Sequence, residues 1–159
     1  MESRELIDRI TSIYQKLKVP EHLQLHMIRT GMVAKLLALT YRKAVNPYDV
    51  TAAMLIHDLG NIVKMDLDAE FTIGLMDGED MEYWKNVQLD IVNEYGEDEH
   101  EVTIRMASYL GVAEKILFLL ERATTGRIDM LLATRDHELK ICAYSDFRVG
   151  PHGIITLPE

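Results

Sequence analysis

A single cysteine, Cys142, in 159 residues rules out an internal disulfide and suits a reducing compartment. Aromatic residues make up only 7% of the chain, so Leu, Ile, Met, Val and Ala must fill the interior, with the nine Met as gap fillers. No apolar stretch approaches the ~18 residues of a membrane span. The start, Met1-Glu2-Ser3-Arg4-Glu5, lacks the basic stretch and apolar run of a signal peptide. The expectation is a cytoplasmic protein with no membrane partner. Basic residues are also short: 17 Lys and Arg stand against 26 Asp and Glu, a formal net charge of −9. That average field repels a polyanion, which argues against a nucleic acid polymer as partner. A small anion stays open, because a metal ion and a few Arg or Lys invert the sign locally.

What the chain does have is apolar content, 48%, recurring at helical spacing almost throughout. Leu6, Ile10, Ile13 and Leu17 mark a first helix. A second begins at Pro20 and runs to about Tyr41, with Leu23, Val33, Leu36 and Leu37 as its stripe. Asn46-Pro47-Tyr48-Asp49 is a capped helix start, and the third helix continues through His57 to a stop at Gly60. Leu59 to Asp80 reads as a long loop with a short helix. Further helices are expected over Met81–Tyr95, Glu99–Leu110, Val112–Thr124 (stopping near Gly126) and Asp136–Val149, followed by an extended tail, His152–Glu159. β-sheet signal is confined to short runs such as Gly153–Leu157. With no repeat and no dividing linker, the reading is one all-α domain over 1–159, a helical bundle with its core at about 20–149 and a tail at 150–159.

The informative residues are polar ones that interrupt apolar faces. His26 shares a face with part of the second helix's stripe, His57 continues the line Val50, Ala53, Met54, and Asp146 follows Leu139, Cys142 and Ala143. Singly, each has a structural explanation as a hydrogen-bonded core histidine or a paired or capping aspartate. Together, on separate helices and all facing inward, they suggest a cation site, since a carboxylate buried alone costs several kcal/mol. Two imidazoles and two carboxylates suit one divalent ion: Mn, Fe, Co, Ni or Mg, and Zn less distinctively.

With these residues in place, the chain resembles the HD-domain superfamily of metal-dependent phosphohydrolases. The resemblance is carried by Val19-Pro20-Glu21-His22-Leu23-Gln24-Leu25-His26-Met27, by Ala52-Ala53-Met54-Leu55-Ile56-His57-Asp58-Leu59-Gly60, and by Ala143-Tyr144-Ser145-Asp146. It implies an HD-domain-like helical bundle, a metal held by His26, His57, Asp58 and Asp146, and hydrolysis of a small phosphate ester, often a nucleotide. Asp58 would both ligate and orient the attacking water. Members with two metals have two more histidines between the central pair and the last aspartate. His100 is placed like the first, whereas Glu121-Arg122 stands near the second, which favours one metal, or a second held weakly by Glu121. Many members have Lys directly after His-Asp-x-Gly. Here Asn61 stands there, and Lys64 is the candidate to supply the charge. Arg29, one turn after His26, is a candidate phosphate fork, and His100 a candidate ligand for a phosphate oxygen or a second metal. His22 is expected to be exposed in a first turn, and His152 to lie in the tail. Three other readings stay open: an inactive HD domain that senses metal or nucleotide, a structural interaction module, and an iron oxygenase. A homo-oligomer is compatible with all of them.

Overall fold

Four of the helix starts are written in single residues. Asn46 Oδ1 accepts from the Tyr48 backbone N–H, and Asp80, Asp98 and Asp136 cap three later helices in the same way. Each such cap contributes about 1 kcal/mol by satisfying an otherwise orphaned donor. The computed structural model describes residues 1–123 and 128–156. Among them the chain forms α1 (Ser3–Lys16), α2 (Glu21–Thr40), α3 (Pro47–Met54), a 3-10 turn (Asn61–Lys64), α4 (Glu70–Leu75), α5 (Met81–Tyr95), α6 (Glu99–Tyr109), α7 (Glu114–Arg122), α8 (Ile128–Ala133) and α9 (His137–Phe147). A two-stranded antiparallel ribbon follows, β1 (Val149–Gly150) against β2 (Gly153–Ile154). The fold is all-α, as the periodicity predicts, and no described helix is long and apolar enough to cross a membrane.

α3 is the hub. Val50, Ala52, Ala53 and Met54 are all buried, and α1, α2, α7 and α9 pack around it. Only its first turn, Pro47 to Asp49, reaches solvent, and the buried remainder is apolar but for Thr51, as suits a helix packed on all sides. α2 lies against α3 through Leu23, Met27, Thr30, Gly31, Ala34 and Ala38. This corrects the expected stripe: Val33 and Leu37 are half-buried, and Leu36 is 64% exposed. The helix is apolar on nearly every side, so periodicity alone cannot choose the inner one. Close approach chooses it: a Cβ at Gly31 would stand 3.0 Å from Leu55 Cγ.

α3 ends at Met54, not at Gly60, and this too corrects the sequence reading. Ile56 N–H bonds Ala53 O, three residues back, and the chain tightens into a turn from Leu55 to Gly60. Gly60 sits at φ −85°, where any residue is comfortable, so its role is not that of a left-handed helix stop. A Cβ there would meet Glu99 O at 2.4 Å and Thr103 N at 2.8 Å. It is a glycine because the backbone of α6 presses on it.

Elsewhere the short helix expected between Leu59 and Asp80 is α4. α8 was not foreseen, and the expected stop at Gly126 and the tail's last residues, 157–159, lie outside the described residues. Val149, expected in the last helix, instead begins the ribbon that turns the tail back on itself.

Candidate metal centre

Three segments meet at the C-terminal end of α3. α2 brings His26, the turn after α3 brings His57 and Asp58, and α9 brings Asp146 one residue before its end. His57 and Asp58 lie in the turn and not in the expected continuation of the third helix, so these adjacent residues can aim at one point.

The four side chains converge tightly. His26 Nε2 stands 3.3 Å from His57 Nε2, 3.3 Å from Asp146 Oδ1 and 3.5 Å from Asp58 Oδ2. His57 Nε2 stands 3.1 Å from Asp146 Oδ1 and 3.6 Å from Asp58 Oδ2. Donors about 2.1 Å from a common ion are about 3.0 Å apart when cis in an octahedron, and about 3.4 Å apart in a tetrahedron. His26, His57 and Asp58 each offer a donor atom close enough to share one small divalent ion, and Asp146 Oδ1 adjoins both imidazole nitrogens.

The surrounding bonds fix the orientation of these donors. His57 Nδ1–H donates to Met54 O at 2.8 Å, which leaves Nε2 for the cluster. Tyr14, fully buried in α1, donates its hydroxyl to Leu55 O at 2.6 Å and pins the start of the turn. Asn61 Nδ2 donates to Asp58 Oδ2 at 3.1 Å, while Asn61 Oδ1 is buried without a partner. Gly60 N–H donates to Thr103 Oγ1 at 2.9 Å, and that hydroxyl donates on to Glu99 O.

Electrostatics follow from this crowding. Burial works against a charged His57, but Asp58 beside it, the bond to Asp146 and the Met54 carbonyl outweigh that and raise its pKa to about 9. Burial likewise opposes a charged Asp146, yet hydrogen bonds from His26 and His57 hold its carboxyl well below the usual carboxylate range. The same atoms that could ligate an ion also hold a proton, so the two compete.

A cavity of about 450 Å³ opens beside the cluster, with His57, Asp58 and Asp146 at its base. Lys64, Glu99 and His100 supply its polar wall, and Met54, Leu119 and Leu120 its apolar one. Lys64 Nζ is 3.2 Å from Glu99 Oε1, and both side chains are largely exposed. A second cavity, about 240 Å³, adjoins His26; Asp58 and Asn61 line both.

The sequence-predicted residues therefore divide. His26, His57, Asp58 and Asp146 come together, and Lys64 and His100 line the larger cavity. Arg29 lines neither cavity, and Glu121 is exposed outside both. His22 is not exposed as expected. It is half-buried beside His26 in the smaller cavity, its Nδ1 has no partner, and burial lowers its pKa. His152 is exposed in the turn between the two strands. Missed from sequence were Glu99 and Thr103, and the apolar Phe71, Leu75 and Pro151 of the smaller cavity. Only the Asp98 cap, which sets where α6 starts, could have pointed to the first two.

No protein-family model, curated protein or solved structure matches the chain.

Proposed function

We propose that this protein is a metal-dependent phosphohydrolase of the HD-domain kind, acting on a small phosphate ester, with a nucleotide as the favoured class. The observation that carries this reading is the meeting of His26, His57, Asp58 and Asp146, each carboxylate 3.1–3.6 Å from both imidazole nitrogens, beside a cavity that Lys64 and His100 also line. His26, His57, Asp58 and Asp146 would hold one divalent ion, chosen from Mn, Fe, Co, Ni, Mg or Zn. When bound, such an ion polarises a phosphoryl oxygen and lowers the pKa of water.

The rest of the chemistry belongs to the chain. Asp58 is steadied through Oδ2 by Asn61, which leaves Oδ1 to accept a hydrogen bond from the attacking water and orient it. Lys64 Nζ exchanges Glu99 for a phosphate oxygen, and His100 binds another. Met54, Leu119 and Leu120 give a flat, apolar organic group a dry wall.

A screen of phosphate mono- and diesters with Mn, Co, Ni and Mg tests this, run beside Asp58→Ala. The expected result is metal-dependent turnover that falls at least about 100-fold in the variant, a change of about 2.7 kcal/mol in the barrier. Turnover that survives Asp58→Ala sinks the mechanism. A second reading, a metal-bound nucleotide sensor without turnover, is favoured by the Lys64–Glu99 pair, which already engages the cation that hydrolysis would use. Ligand-induced thermal stabilisation with no ester cleavage is its signature.

A further inference from the structure

The outer side of α2 carries a regular apolar feature. Leu25, Ile28, Met32, Leu36 and Leu39 are all exposed, Met32 by 56% and Leu39 by 63%. They form a single stripe opposite the side that packs on α3, about 21 Å long at 1.5 Å per residue. Singly exposed apolar residues need no explanation, but a contiguous stripe marks an interaction surface.

Its spacing identifies the partner. Measured from Met32, the other four lie at −7, −4, +4 and +7. An antiparallel copy turned about a two-fold axis at Met32 places Leu25 against Leu39, Ile28 against Leu36, and Met32 against itself. A two-fold interface requires this self-complementarity.

Charge agrees. The chain carries −9 overall, so two copies repel on average. α2 itself is not acidic: its only formal charges are Glu21, Arg29 and Lys35, of which Arg29 comes level with the partner's Lys35 on the flanks of the stripe, a like-charge pair that the apolar contact must outweigh. In the antiparallel pairing Glu21, at the N-terminal end, approaches Arg42 and Lys43 just beyond the partner helix's C-terminal end, and all three are exposed. The helix dipoles also oppose favourably. A standard interface buries about 800 Å² per partner, more than one stripe provides. α9 and the ribbon both pack beside α2, and Tyr144 and Phe147, exposed on the first, and Ile154, exposed on the second, are the apolar residues available to widen the surface.

We infer that the protein is a two-fold dimer built on antiparallel packing of α2 about Met32. This is independent of any chemistry at the metal centre. Sedimentation equilibrium of the full chain at micromolar concentration is expected to give a dimer, and Met32→Glu a monomer with unchanged helical circular dichroism. Cysteine cross-linking tests the register. Met32→Cys should pair with itself under mild oxidation, because a residue on the axis brings its own Cβ atoms to the roughly 4 Å that a disulfide needs. Leu25→Cys should not pair with itself, whereas Leu25→Cys combined with Leu39→Cys should. Cys142 is fully buried and stays silent in these assays. A monomeric wild type overturns the inference. So does a dimer that persists in Met32→Glu, or Leu25→Cys pairing with itself as fast as Met32→Cys. If Met32→Glu does not fold, Leu36→Lys replaces it, with the same outcomes.

Discussion

The two sides of the larger cavity are built on different principles. On one side the turn from Leu55 to Gly60 is clamped: Tyr14 holds Leu55, Met54 O holds His57, Asn61 holds Asp58, and Thr103 holds Gly60. On the other, Lys64 and Glu99 are exposed and joined by one ion pair, which at a surface contributes at most about 1 kcal/mol. The donors proposed for the ion are set by folding, whereas the groups proposed for substrate are free to change partners. Preorganised ligands beside adjustable recognition groups suit a site whose ion is fixed and whose second ligand comes and goes.

Substitutions should expose that difference, and the largest effect belongs to the clamp. Gly60→Ala drives a Cβ into the α6 backbone at 2.4 Å, and backbone cannot step aside as a flexible side chain can. We expect a loss of about 3 kcal/mol, the upper end of what overpacking costs, read by chemical or thermal denaturation. If the variant melts like wild type, the clamp is not rigid. Next come the donors: His57→Ala or Asp146→Ala should weaken Mn2+ binding by titration calorimetry at least about 100-fold, or about 2.7 kcal/mol. An unchanged affinity would place the ion elsewhere.

pH comes third. With its pKa raised from 6.5 to about 9, His57 gives stability that is complete below about pH 6.5 and is lost as pH climbs through about 9. Asp146 is shifted downward, so its contribution is present above 3.8 and is lost on acidification below the usual carboxylate range. Ion-free protein should therefore lose on the order of 2 kcal/mol between pH 6.5 and 9. Saturating Mn2+ should abolish that alkaline loss, since neutral imidazoles are the ligating form. An alkaline slope that is the same with and without Mn2+ would separate these histidines from metal binding.

Asn61→Ala should cost about tenfold in metal affinity, as removal of an orienting partner does. Smallest is Lys64→Ala on the loose side: stability within about 1 kcal/mol of wild type and unchanged Mn2+ affinity, but weaker binding of inorganic phosphate to the loaded protein. If Lys64→Ala instead impairs Mn2+ binding, the two sides are not separable.

The four clustered residues were legible in the sequence because a polar residue on an apolar face is an anomaly wherever it falls. Their setting was not. Leu55 and Ile56 continue the apolar run beyond Met54, so nothing local marks the end of α3, and the close contact that demands glycine at position 60 comes from α6, about forty residues on. α2 misled for a related reason, since its outer side carries large apolar residues while Gly31, Ala34 and Ala38 hold much of its inner one. Arg29 follows His26 by less than a full turn, yet that offset carries it past the cavities. Lys64 was within sequence reach, but its partner Glu99 was not. Capping, a matter of adjacent residues, was read correctly at Asn46.

His26, His57–Asp58 and Asp146 stand far apart in the chain and meet only when α2, α3 and α9 have docked. A cation bound by all four would be a test of completeness: a chain cut before Asp146, or with α2 displaced, would lack a full binding set. At a thousandfold excess over its dissociation constant, such an ion favours the intact form by about 4 kcal/mol. Metal content in a purified sample would then report the fraction of molecules that are whole and correctly assembled, before any reaction is assayed.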